Sequence, residues 1–149
     1  MKPLQVDDSQ FPLVYVVARG TPTDQEFDAY LEELAALYRR RERFALVVDA
    51  SRSGGATAAQ RKKQADWIKQ NAMMIQALNL GTAFVVPSAL ARGVMTAILW
   101  LQPMPSPHLV CNSPPEGVRW ASEQLRQAGI EPPDSAFSSS PPDGLSQDG

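Results

Sequence analysis

Apolar residues in this chain fall into short continuous runs separated by longer stretches in which they recur at every third and fourth position. Lys2 to Val6 alternates weakly, Asp7-Asp8-Ser9-Gln10 is rich in turn formers, and Leu13-Val14-Tyr15-Val16-Val17-Ala18 is a continuous apolar run. Two strands joined by a short turn fit this pattern. Thr23 then precedes Asp24 and Glu26, and Phe27, Tyr30, Leu31, Leu34, Leu37 and Tyr38 repeat at three and four, which predicts a helix over about 24–41. Its acids lie in the first turns and Arg39, Arg40 and Arg41 in the last, as the helix dipole favours, so the arginine run reads as a helix end. Phe44-Ala45-Leu46-Val47-Val48, ended by Asp49, is the pattern of a central strand covered on both faces.

A second helix is predicted over about 57–78, with Ala65, Ile68, Ala72 and Ile75 inward, followed by a buried strand at Thr82 to Val86. Ser88 is placed to cap a third helix over about 89–101. Pro103, Pro105 and Pro107 end that helix, His108 to Cys111 gives a short strand, and Ser113-Pro114-Pro115-Glu116 opens a last helix that Gly129 can close. The order is strand, strand, helix, strand, helix, strand, helix, strand, helix. Right-handed crossovers make this an α/β fold: a mainly parallel sheet of four or five strands with flanking helices and the first strand free to run antiparallel at an edge.

Length and composition bound the picture further. The 149 residues, 44% hydrophobic and 20% charged, suit one domain, expected over 1–130. From Glu131 to the end, prolines, serines and acids leave one aromatic, Phe137, and one large aliphatic, Leu145, so 131–149 is expected to be a disordered tail. Residues 1–130 hold 14 Lys and Arg against 12 Asp and Glu, a near-neutral body with no long basic run, and nucleic acid is not expected as a main partner. Asp7 and Asp8 occupy the place of a signal peptide's apolar core, and Val94 to Leu101 falls far short of the roughly 20 residues that span a bilayer. A cytoplasmic protein without a transmembrane segment is the expectation.

The element order, with a strand ending Val47-Val48-Asp49, a Ser-rich loop and a helix beginning near Ala56, resembles the STAS domain of bacterial anti-sigma-factor antagonists and a related bacterial group of STAS/CRAL-TRIO-like proteins. The resemblance covers about 1–128. Arg61-x-x-Gln64-Ala65-x-Trp67 and Trp100-Leu101-Gln102-Pro103 look like phrases of that bacterial group. In the antagonists a phosphorylatable serine sits in Asp-Ser-x-Gly at the start of the helix after the third strand. The nearest match here is Ser51-Arg52-Ser53-Gly54, with Ala50 in the acidic position and Asp49 one residue earlier. The resemblance implies a regulatory module acting through a protein partner, with Ser51 or Ser53 as the switch. Its lipid-binding relatives imply a carrier instead.

Ligands of open parallel sheets gather outside the carboxyl ends of the strands, here the loops after Val48 and Val86. Those loops and the helix starts that follow hold Asp49, Ser51, Arg52, Ser53, Gly54, Gly55, Thr57, Ser88 and Arg92. Loop amides and two helix N-termini, with Arg52 and Arg92, are the donors that hold a phosphate or carboxylate, and a phosphate on Ser51 or Ser53 would meet free amides at a helix start. The alternative is that Ser53, Thr57 and Ser88 are helix caps and the glycines let the loop turn. Asp49 is either a base or the cap of the following turn. The single histidine and cysteine, His108 and Cys111, lie three apart on one strand and so on opposite faces, which excludes a dyad and a Cys/His zinc site. No catalytic residue, metal or cofactor is assigned.

The third helix carries the remaining signal. Leu90, Val94, Ala97, Ile98 and Leu101 form the stripe expected to face the sheet, yet Ala91, Met95, Leu99 and Trp100 make the rest apolar too. Such a helix is either wedged between sheet and neighbour or docks a partner. Met95, Leu99, Trp100 and, past the helix end, Met104 are the candidate interface, for a protein partner or a homodimer. The competing reading places a lipid or other amphipathic ligand in a pocket between this helix and the sheet.

Overall fold

The computed structural model describes residues 2–133; the expected tail, 131–149, lies outside them apart from its first three residues. Five strands, β1 Leu4–Asp7, β2 Leu13–Gly20, β3 Phe44–Ser53, β4 Asn79–Val85 and β5 His108–Cys111, stand side by side in sequence order. β1 runs antiparallel to β2 and the other pairs are parallel. The helices are α1 Asp24–Arg39, α2 Ala58–Gln70, α3 Ala72–Leu78, α4 Ala89–Leu101 and α5 Pro114–Gln127.

Side-chain alternation along the strands builds a core on each face of the sheet. Val14, Val16, Phe44 and Leu46 meet Phe27, Tyr30, Leu31, Leu34, Leu37 and Tyr38 of α1 and Ile75 of α3. Leu13, Tyr15, Val17, Ala45, Val47, Ala83, Val85 and Cys111 meet Val118, Ala121 and Leu125 of α5 on the other side. α5 lies close to the sheet because Gly81 has no side chain: a Cβ there would stand 2.8 Å from the Trp120 ring and 2.9 Å from Gln124.

Two departures from the expected elements have local causes. The predicted second helix is two, broken at Asn71 (φ −115°, ψ 19°), whose side-chain Nδ2 donates to the Trp67 carbonyl at 2.8 Å. Strand β3 does not stop at Asp49 but continues to Ser53, because β2 continues beside it: after a register shift Arg19 pairs with Arg52 and Gly20 with Ser53. The result is a two-stranded extension beyond the carboxyl end of the sheet.

Candidate functional site

Asp49 organises that end of β3. Its side chain points with Ala45 and Val47 toward the α5 face and is buried. Oδ2 accepts the Tyr15 hydroxyl at 3.1 Å, and Oδ1 accepts both the Ser51 amide at 3.0 Å and the Ser51 hydroxyl at 2.6 Å. A carboxylate so held fixes the turn of the chain after it, which is the capping role. Burial, and then the nearby carboxylate, push the Tyr15 hydroxyl well above the ordinary tyrosine range.

Beyond Asp49 the candidate residues separate. Ser51, Arg52 and Ser53 are exposed on the β3 extension. Ser53 Oγ accepts the Gly55 amide at 3.0 Å, closing a turn rather than capping a helix. The helix cap is Thr57, in a reciprocal box with Gln60, so the expectation that Ser51 or Ser53 sits at a helix N-terminus with free amides is corrected: both precede α2 and Thr57 Oγ1 takes the Gln60 amide. Gln60 Nε2 also donates to the Pro22 carbonyl at 2.9 Å and to Asp24 at 3.1 Å, tying this loop to the start of α1. Gly54 is needed where it lies, since a Cβ would come within 2.9 Å of Thr21 Oγ1 and 3.1 Å of the Gly20 carbonyl carbon.

Arg92 serves a different loop. Its Nη1 donates to the Val86 carbonyl at 3.1 Å, the Pro87 carbonyl at 2.7 Å and Asn112 Oδ1 at 3.0 Å, joining the end of β4 to the end of β5. Ser88 caps α4 through the Ala91 amide, as expected. His108 is exposed at the start of β5 while Cys111 is buried in the α5 core, and burial raises its thiol to about 11. That thiol is a packed apolar group at neutral pH. Among the described residues there is no cluster of His, Cys, Asp and Glu suited to a metal ion, and no helix is long and apolar enough to cross a membrane.

The orientation of α4 differs from the expected one. The stripe assigned to the sheet faces outward: Leu90 is 80% exposed, Val94 55%, Ile98 41% and Leu101 87%, and no residue of the helix is fully buried. The half-buried side is Ala91, Arg92, Met95 and Leu99, which turns toward the body, where the main contact is β5. Of the candidate interface residues, Trp100 stands 85% exposed, Met95 and Leu99 are half-buried on the inward side, and Met104 is half-buried beyond the helix. Both sides of α4 are apolar, so periodicity could not tell them apart. Gly93, Thr96, Ala97, Trp100 and Leu101 outline a shallow, largely apolar cavity of about 420 Å³ on the outward side.

A second cavity, about 670 Å³, lies between β1 and α1 and was not anticipated from the sequence. Its charged rim is internally matched, Lys2 to Glu33 at 3.1 Å and Arg40 to Asp8 at 3.2 Å, with the Arg40 guanidinium 3.8 Å from the centre of the Phe11 ring. Residues so far apart in sequence give no local pattern that would have found it.

No family model matches the chain, and no curated protein matches it. Among solved structures it is similar to an uncharacterized protein of the DUF3478 family with a SpoIIAA-like fold from Shewanella loihica PV-4, with a TM-score of 0.58. The two share 12% identity over 79% of this chain and 91% of the other, a level that speaks for the fold alone. Strand order, the antiparallel edge strand, the helices on both faces and this likeness together give the chain a SpoIIAA-like, that is STAS-like, fold.

Proposed function

We propose that the chain is a non-catalytic bacterial regulatory or scaffolding module of the cytoplasm that docks a protein partner on the outward face of α4. The observation that carries this reading is the exposure of Leu90, Val94, Ile98, Trp100 and Leu101 along one face of one helix. Folding leaves that surface in water at a cost that only an additional contact removes. The outward position of the apolar cavity favours docking over a carrier with a lipid held between α4 and the sheet. Asp49 and Cys111, the groups nearest to a base and a nucleophile, are engaged in turn-making and packing. The test is Leu101→Glu: capture of the host partner by the immobilised protein should be lost while the thermal midpoint holds, and undiminished capture refutes the reading.

A phosphorylation switch at Ser51 is supported by one contact. The Ser51 hydroxyl is the donor to buried Asp49, and a phosphate in its place has no proton to give and repels that carboxylate. Modification would therefore release the loop from Asp49. Ser51→Asp should alter hydrogen exchange at 50–56, and exchange identical to the unmodified chain removes the switch.

A further inference from the structure

We infer that the partner on the outward face of α4 is a second copy of this chain, the two helices crossing antiparallel about a two-fold axis at the Gly93–Ala97 stretch. The inference rests on the docking reading above and names its occupant. Size is the first argument. Five large side chains, 41% to 87% exposed, present roughly 700 Å² of apolar surface per chain, close to the ~800 Å² per partner of a stable interface. Half that surface would not hold a pair together.

Shape is the second. An isologous contact must carry knob and hole on one patch, because each surface meets itself. Ala89, Gly93 and Ala97 recur every four residues and form a shallow line along the helix, bordered by Leu90, Val94, Trp100 and Leu101. With the axis midway between Gly93 and Ala97, an antiparallel second helix sets Gly93 against Ala97, Ala89 against Leu101 and Leu90 against Trp100. Small residues then meet at the axis, where the two backbones can approach closely and close the cavity at Gly93 and Ala97, while Leu90 and Trp100 pack on each other at the flanks.

Charge is the third. Arg92 is the only charged residue from Ser88 to Pro107, and its guanidinium is turned inward onto Val86, Pro87 and Asn112. The outward face therefore brings no like charges together when it meets itself. Nor does it offer the Lys and Arg rim with which an interfacial helix holds an anionic membrane.

Sedimentation of the full chain reads the result. At concentrations up to ~100 μM, where even a micromolar pair is associated, the expected mass is twice the 16.3 kDa of one chain. Gly93→Leu fills the line where an added Cβ meets nothing within 4 Å, so the fold tolerates it; it and Ala97→Glu should each weaken association about 30-fold or more. Mixing Gly93→Cys with Ala97→Cys should give more intermolecular disulfide than either variant alone, which reads the antiparallel register. A 16.3 kDa species throughout, or a dimer untouched by both substitutions, overturns the inference. A monomer whose Leu101→Glu variant still loses a host partner overturns self-pairing and leaves docking standing, whereas unchanged mass together with unchanged capture removes both.

Discussion

Trp100→Ala separates a docking side chain from a folding one by magnitude. The side chain is 85% exposed, so folding covers only about 40 Å² of the roughly 250 Å² a tryptophan offers, which is about 1 kcal/mol at 25 cal/mol/Å². Alanine is the better helix former and returns about 0.5 kcal/mol of that in the last turn of α4. The net cost to the fold is about 0.5 kcal/mol, a midpoint shift of about 2 °C for a domain of this size. A tryptophan packed in the core would cost about 3 to 5 kcal/mol when truncated. Association should respond in the opposite proportion, since an exposed aromatic anchor at an interface is worth about 2 kcal/mol or more. A urea melt of the variant at low concentration and sedimentation at high concentration measure the two quantities on one sample. A melt displaced by more than about 2 kcal/mol would show that Trp100 packs against the body, and the outward orientation of α4 would fall with it.

Three further outcomes follow from contacts away from α4. Asp49→Ala removes the acceptor of the Tyr15 and Ser51 hydroxyls and should cost about 1 to 3 kcal/mol, with Asp49→Asn, which keeps an oxygen, costing less; equal losses in urea melts would refute the hydrogen-bonding role. Gly81→Ala drives a Cβ into the Trp120 ring and should destabilise by about 1 to 3 kcal/mol, and Trp120→Leu in the same chain should recover part of it; a strictly additive pair would place the strain elsewhere. Alkali should unfold the protein: Tyr15, Tyr30, Tyr38 and Cys111 are all raised by burial, Tyr38 to about 12 and Cys111 to about 11, so above pH 9 to 10 the unfolded chain loses protons that the folded chain keeps and stability falls as pH rises. Tyrosinate absorbance should appear only with unfolding, and a normal tyrosine titration in the folded state would contradict the burial.

The sheet was legible because each strand is apolar for a reason confined to that strand. Val47 and Phe44 are covered on opposite faces, so their neighbours must be apolar as well, and the run Phe44 to Val48 announces itself. Helix α1 was equally clear, its buried residues falling where the three-and-four spacing put them. What escaped depends on distant partners. Nothing in Asp49-Ala50-Ser51 says that β2 runs on beside β3 as far as Ser53, and the break at Asn71 is made by a side chain choosing a carbonyl four residues back, which an asparagine in a helix need not do. The Asp49 cap was visible as one of two roles. Its partner Tyr15, 34 residues earlier and one strand over, was not.

The rotation of α4 is the instructive case, because one residue decides it. A lone arginine in an apolar helix is ordinarily assigned to the solvent side, which puts Leu90, Val94 and Leu101 inward. Here Arg92 lies in the first turn after Ser88, directly beside the carbonyls of Val86 and Pro87 that the end of β4 leaves without sheet partners, and its Nη1 satisfies both while reaching Asn112 across to the end of β5. Two carbonyl bonds and a side-chain bond from a cation hold this side of the helix against the strand ends, while both faces of the helix are apolar. Once Arg92 is held inward, the 100° step per residue carries Ala91, Met95 and Leu99 inward with it and turns Leu90, Gly93, Val94, Ala97 and Leu101 to the outside. The polar contact that anchors the helix is thus also what leaves its larger apolar face uncovered, and the docking surface is a consequence of how the strand ends are satisfied.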